Sequence, residues 1–197
     1  MSGSHRKKTF GFILVMLLTV AIAGYLYLFR LPYFAIAEKD RTDIIHSIKS
    51  APGLPERFYE VYGLIYPEAL EQSQFQYLIR KEFGNIYRKS ECPCRLATYY
   101  SHLTSRYRIS LPQMTFFVED FVTPKECLNF YAGRIFFGEG ITGVSSASEN
   151  LFNKALADLE DKEYAELIII MENPSYYNRA RRPEAIQGRI NSIYGMN

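Results

Sequence analysis

The residues whose types could hold a metal or exchange electrons are Cys92, Cys94, Cys127 and His102. Three thiolates and an imidazole form a zinc-ligand set by type. Paired zinc cysteines are ordinarily separated by two or more residues, however, and Cys92-Pro93-Cys94 leaves one. Structural cysteines are the better reading, either free or with Cys127 bridged to one of the other two, which leaves an odd thiol. No metal and no cofactor are expected. Arg179, Arg181 and Arg182 could meet a phosphate, but arginines in a polar stretch are the composition of a solvated loop. No basic, aromatic-interleaved patch accompanies them, so nucleic acid is not an expected partner. His46 lies among polar residues with nothing nearby to pair with it, which is the pattern of a surface histidine.

The elements that must position any site are most legible from Thr123 onward. Thr123-Pro124-Lys125-Glu126 places an N-cap, a proline at the first helical position and a glutamate three residues after the cap, which predicts a short helix ending at Gly133. Gly138, Gly140 and Gly143 then predict a loop. Ser146-Ala-Ser-Glu149 reads as a second capping box, starting a helix with Leu151, Phe152 and Ala155 on one face. Asp161 to Met171 reads as a helix with an acidic first turn and an apolar end, stopped by Asn173-Pro174-Ser175. Pro183 opens a further helix with Ile186, Ile190 and Ile193 at helical spacing. Upstream, Asp40 to Ile48 has the pattern of a short amphipathic helix, and Pro52-Gly-Leu-Pro55 breaks the chain. One or two helices are expected between Tyr66 and Tyr87, with Phe75, Tyr77, Phe83 and Tyr87 as core and Arg80, Lys81 and Lys89 as solvated charges.

The whole chain has 197 residues, 48% of them hydrophobic, and a formal net charge of +2, which fits one globular domain and favours no class of partner. Residues 9–29 carry no charge, with His5-Arg-Lys-Lys8 before them and Arg30 after. At about 1.5 Å rise per residue this run spans a hydrocarbon core of about 30 Å, so it reads as a transmembrane helix. Ala35-Ile-Ala37 has the small-x-small form of a signal-peptidase site, but Arg30 and Pro32 stand between it and the apolar run, which favours an anchor over a cleaved signal. Positive charge ahead of the span places the N-terminus in the cytoplasm and the remainder outside, where disulfides can form. The expected organisation is a cytoplasmic tail at 1–8, a transmembrane helix at 9–29, a linker with a short helix at 30–53, and an extracytoplasmic domain at 54–197.

Six stretches in order carry a family resemblance: Lys125-Glu-Cys-Leu-Asn-Phe-Tyr131, Phe137-Gly-Glu-Gly-Ile-Thr-Gly143, Ser146-Ala-Ser-Glu-Asn-Leu-Phe-Asn-Lys154, Leu159-Glu-Asp-Lys-Glu163, Glu172-Asn-Pro-Ser-Tyr-Tyr-Asn178 and Arg189-Ile-Asn-Ser-Ile-Tyr-Gly-Met196. Together they resemble the peptidoglycan glycosyltransferases, glycosyltransferase family 51, which include the transglycosylase domains of penicillin-binding proteins and the monofunctional transglycosylases. The resemblance implies a mainly α, lysozyme-like glycosyltransferase domain preceded by one transmembrane helix. It weakens upstream but can be followed to Glu56-Arg-Phe-Tyr-Glu60 and Gly63.

The upstream signatures are where the chain departs from the family. The family carries Glu-Asp-x-x-Phe-Tyr-x-His-x-Gly, whose glutamate is the proposed general base toward the acceptor sugar hydroxyl. Aligned on Phe58, Tyr59 and Gly63, that glutamate position is Leu54, the aspartate position Pro55 and the histidine position Val61. Leucine accepts no proton. Glu56, two residues on, would project nearly oppositely on a helix and needs local rearrangement to stand in. The family's amide-rich wall for the donor pyrophosphate is replaced by Cys92-Pro-Cys-Arg-Leu-Ala-Thr-Tyr-Tyr100, in which Arg95 could attract a phosphate. Anchored on Val118-Glu119, the third signature keeps its basic residue as Arg108 but has Leu111 at the second glutamate.

These departures imply a pseudoenzyme: a framework kept without its proton-handling groups, acting in bacterial cell-wall assembly at the inner (cytoplasmic) membrane. Expected partners are the membrane, lipid II (the lipid-linked disaccharide-pentapeptide) or a glycan strand, and other wall-synthesis membrane proteins. Arg57, Arg108 and Lys125 are the candidate substrate-binding residues, each with a structural ion pair as its competing role. The rival reading is a divergent, active polymerase of lipid II using Glu56 or Glu119 with Arg108.

Overall fold

Capping decides where most of the helices begin. In a computed structural model describing residues 2–83, 92–102 and 106–195, the regular structure of the described residues is helical apart from one small hairpin. Helix α1 (Ser2–Tyr25) continues through a π-turn (Leu26–Arg30) into α2 (Leu31–Ala35). There follow α3 (Glu38–Lys49), α4 (Glu56–Ile65), α5 (Gln74–Phe83), α6 (Pro93–Tyr100), α7 (Leu111–Glu119) and α8 (Pro124–Ala132). The hairpin pairs β1 (Phe136–Gly138) with β2 (Ile141–Thr142), and α9 (Val144–Phe152), α10 (Asp161–Glu172) and α11 (Pro183–Tyr194) complete the chain.

Both halves of the Thr123/Glu126 capping box form, and α8 ends at Gly133 as its sequence predicts. Helix α10 has its own box, Glu160 with Glu163, and stops at Asn173. Helix α9 differs from expectation: it starts at Val144, two residues before Ser146, without a side-chain cap. Gly143 takes the cap position at φ +80, where a Cβ would lie 2.8 Å from the Gly133 carbonyl oxygen, and its amide donates to the Ile135 carbonyl. Backbone geometry available only to glycine therefore outcompetes the serine. Asn153, left-handed, ends the helix, so Ala155 falls outside it. The stretch expected as a glycine loop is the hairpin, with Gly138 and Gly140 both at positive φ.

Two apolar clusters share α8. The larger is built by α4, α8, α9, α10 and α11 around Phe58, Leu128, Tyr164, Leu167 and Ile168. The second joins α3, α6 and α7 to the other side of α8 through Ile44, Ile48, Met114, Phe117, Cys127 and Phe130. Residues 30–53, expected as a linker with a short helix, contribute Ile36, Ile44 and Ile48 to this cluster, while His46 is exposed as expected. A Cys94–Cys127 disulfide ties the start of α6 to α8, and Cys92 is the buried free thiol.

The segment Phe10–Ala35 is long and apolar enough to cross a membrane, with mean hydropathy 2.4. Its end is fastened to α7. Phe29 packs on Phe116 with ring centroids 4.5 Å apart, the Gln113 amide donates to the Tyr27 carbonyl at 2.9 Å, and the Tyr33 hydroxyl donates to Asp120 at 2.6 Å. On α5, Phe75 is exposed rather than core, and Tyr77 is half-buried. The side chains of Arg80, Lys81 and Phe83 lie outside the described residues, as do Tyr87, Lys89 and Met196.

Candidate functional site

A cleft of about 380 Å³ opens between α4, α6 and the end of α10. Its walls are chiefly aromatic: Tyr62 from α4 and Tyr66 at its C-cap, Tyr77 from α5, Tyr99 and Tyr100 from α6, and Tyr131 from α8. Tyr62, Tyr66 and Tyr131 belong to the larger core cluster and Tyr100 packs against it, so these rings are held in place by the core. Tyr100 and Tyr131 lie 5.0 Å apart, and the Tyr131 hydroxyl donates to the Met171 carbonyl, the last apolar residue of α10.

Two charged side chains line this aromatic cleft. Glu172 ends α10 and is its only carboxylate among the described residues. One oxygen, Oε1, accepts from the Tyr66 hydroxyl at 2.5 Å and from Arg189 Nη2 at 3.2 Å. Burial and the adjacent carboxylate push the Tyr66 hydroxyl far above its ordinary pKa, so it stays protonated and donates. Arg95, in the first turn of α6, lies with Cζ 5.2 Å from the Tyr77 ring centroid. Its Nη1 is buried and has no hydrogen-bond partner among the described residues.

Of the residues singled out from sequence, Arg95 lines the cleft, and so does Leu111, read from sequence as the second glutamate position. Leu54 is half-buried against the larger cluster, its backbone amide donating to the Tyr59 hydroxyl at 3.3 Å. Val61 is buried. Glu56 is exposed and pairs with Lys125 at 3.2 Å, and Lys125 Nζ also sits 4.4 Å over the Tyr59 ring. Arg57 binds both Asp161, at the start of α10, and Glu60. The guanidinium holds the Asp161 carboxyl below its usual range. Arg108 is exposed, with a left-handed φ of 53° three residues ahead of Leu111.

Glu119 faces inward, away from the cleft. Its Oε1 accepts from the Gln74 amide at 2.7 Å and from the Cys92 thiol at 3.3 Å. Burial raises the Glu119 pKa, partly offset by those two donors, and burial beside Glu119 pushes the Cys92 thiol up to about 12. The pair is a structural node capping α5.

Sequence reading missed the tyrosine lining and Glu172 as a cleft residue. Ile168, Met171 and Glu172 do sit at helical spacing on one face of α10, a signal that was present. The tyrosines meet only through tertiary packing.

The fold is thus a mainly helical, lysozyme-like domain behind one long apolar helix, with an aromatic cleft beside its larger core cluster. The transglycosylase family model matches residues 99–196. A biosynthetic peptidoglycan transglycosylase of Xylella fastidiosa (strain M12) is 34% identical over 64 residues, covering 32% of this chain and 26% of that protein. Penicillin-binding protein 1F of Bacillus subtilis is 36% identical over 69 residues, 35% of this chain and 10% of that protein. Penicillin-binding protein 1A of Rickettsia bellii is 23% identical over 130 residues, 66% of this chain and 16% of that protein. Residues 99–196 are a transglycosylase-family segment, and the chain carries a divergent form of that domain. The aligned regions span about a quarter or less of these relatives.

Proposed function

We propose that this is a membrane-anchored, degenerate transglycosylase domain that binds glycan or lipid-linked wall precursor, or scaffolds other wall-synthesis membrane proteins, without polymerising. The domain runs from about residue 54, faces the outside of the cytoplasmic membrane and leaves its N-terminal tail in the cytoplasm. The observation that carries this reading is the cleft's inventory: Leu111 occupies its wall at the position where a carboxylate would assist the leaving group, and Glu172 is already engaged by Tyr66 and Arg189. Loss of one general acid or base costs about 10²–10⁴-fold in rate, so loss of both leaves little. Arg57 and Lys125 serve the fold through their ion pairs in this reading, and Arg108, exposed ahead of Leu111 and without an ion pair among the described residues, is the one of the three left to meet a ligand.

The rival is a working polymerase of lipid II, for which Glu172 is the carboxylate best placed. Incubating the full chain in detergent with lipid-linked disaccharide-pentapeptide and divalent metal separates the two. No polymer is expected. Polymer abolished by Glu172→Gln, Glu56→Gln or Glu119→Gln would overturn the silent reading and identify the group responsible.

A further inference from the structure

Arg95 is the charged residue that buries an unpartnered side-chain nitrogen among the described residues. A guanidinium beside apolar and aromatic walls, with Nη1 buried and unpartnered among the described residues, is costly unless something else satisfies it. The other cation at this end of α10, Arg189, is already committed to Glu172. One free positive charge therefore faces a cleft that also holds a fixed negative one. That balance suits a monoanion. A carboxylate matches a single guanidinium bidentately, whereas a pyrophosphate brings at least two negative charges toward one cation and meets correspondingly more repulsion from Glu172.

The remaining walls suit sugar rings. Tyr99 is 61% exposed at the rim and meets Tyr100 edge to face, their centroids 5.5 Å apart at 76°. Two ring faces at such an angle offer a corner in which the C–H face of a pyranose meets the negative face of one ring while its edge meets the other. Glu172 adds an acceptor for a sugar hydroxyl. A volume of about 380 Å³ is within the usual range for a small-ligand cleft and takes one or two rings.

We propose that this cleft is a carbohydrate-binding groove for a glycan strand carrying carboxylates, with Arg95 taking the carboxylate and Tyr99 and Tyr100 packing on the sugar, and that it does not retain a pyrophosphate-linked donor. The inference rests on the glycan-binding reading above and narrows its ligand.

The test is calorimetric titration of the full chain in detergent with four probes: N-acetylated wall strands stripped of peptide, the same strands with peptides attached, chitin oligomers of equal length, and lipid-linked disaccharide pyrophosphate. Strands with carboxylates are expected to bind about tenfold or more tighter than chitin oligomers. Arg95→Gln should remove that advantage and leave chitin binding unchanged, and Tyr99→Ala should weaken both. Tighter binding of stripped strands assigns the carboxylate to the sugar and tighter binding of peptide-bearing strands assigns it to the peptide; either supports the groove. Two results overturn it: strand affinity unmoved by both Arg95→Gln and Tyr99→Ala, or a lipid-linked pyrophosphate bound more tightly than the strands. Tyr99→Ala removes an exposed ring and keeps the test open should Arg95→Gln fail to fold. Sedimentation with isolated wall sacculi tells the two levels apart: sacculus binding that survives both variants sinks the groove and spares the broader reading, and absence of any wall binding sinks both.

Discussion

The helices from Thr123 onward and the described residues between Gln72 and Tyr100 are packed by different rules. In the downstream scaffold buried polar groups find partners: the Ser148 hydroxyl donates to the Lys154 carbonyl, Tyr164 to Leu156 and Tyr131 to Met171. Upstream, Gln72, Gln74 and Arg95 bury side-chain polar atoms that have no partner among the described residues. Gln74 is fully buried with both amide atoms unpartnered. Native interiors leave few such groups, and those that persist tend to mark sites where something other than folding is at stake. The contrast follows the line of resemblance: the scaffold lies within the matched residues 99–196, and the unpartnered Gln72, Gln74 and Arg95 lie ahead of them.

The largest test of this contrast is a deletion in the scaffold. Leu167 is fully buried among Phe58, Tyr164 and Ile168, and Leu167→Ala should cost about 2–5 kcal/mol in denaturant unfolding of the detergent-solubilised chain. A loss below 1 kcal/mol would mean that the scaffold is as loosely packed as the wall. Next is the tie between the regions. Cys94–Cys127 closes a loop of sequence separation 33, so the Cys94→Ala/Cys127→Ala double variant should lose about 2–4 kcal/mol. An unchanged midpoint after reduction would show the regions to be held by packing alone.

What the sequence disclosed follows the same division. The starts of α8, α10 and the Pro183 helix were readable because a capping box, an acidic first turn and a proline each act within four residues. The start of α9 was misread because Gly143 works through a close approach to Gly133, ten positions earlier in the chain. For Arg57 and Lys125 the sequence offered an ion pair as the alternative to a ligand contact but could not name the partners, which lie 104 and 69 residues away. The cleft was the least legible part. Its tyrosines come from four helices, and no local pattern distinguishes a tyrosine aimed into a groove from one buried in a core.

A smaller effect probes the wall directly. Replacing Gln74 by an apolar side chain of similar size removes two buried unpartnered polar atoms, so Gln74→Leu should be neutral or stabilising by about 1 kcal/mol, the opposite sign to Leu167→Ala. Destabilisation by more than 1 kcal/mol would indicate that ordered water already satisfies the amide, and the contrast between the regions would be one of hydration instead.

The smallest effect is one of pH, and the regions should again differ in sign. Asp161 and Glu163, at the start of α10, have pKa values lowered by Arg57 and by the Glu160 amide with Lys154 respectively. Their contribution to stability is present above the unfolded carboxylate range of about 4 and is lost as pH falls through the folded values. Glu119 is the reverse. Burial raises its folded pKa, so as pH climbs from about 4 the unfolded chain releases this proton first, and stability declines until the folded value is passed. Glutamine at 119 keeps an acceptor for the Gln74 amide and has no proton to lose. Thermal midpoints of Glu119→Gln and the parent, compared at pH 4 and pH 7, should therefore move in the variant's favour on going to pH 7. A variant that loses ground at pH 7 would mean that the Glu119 carboxylate is stabilised in its ionised form, and the buried node at Cys92 would have to be redrawn as a charged one.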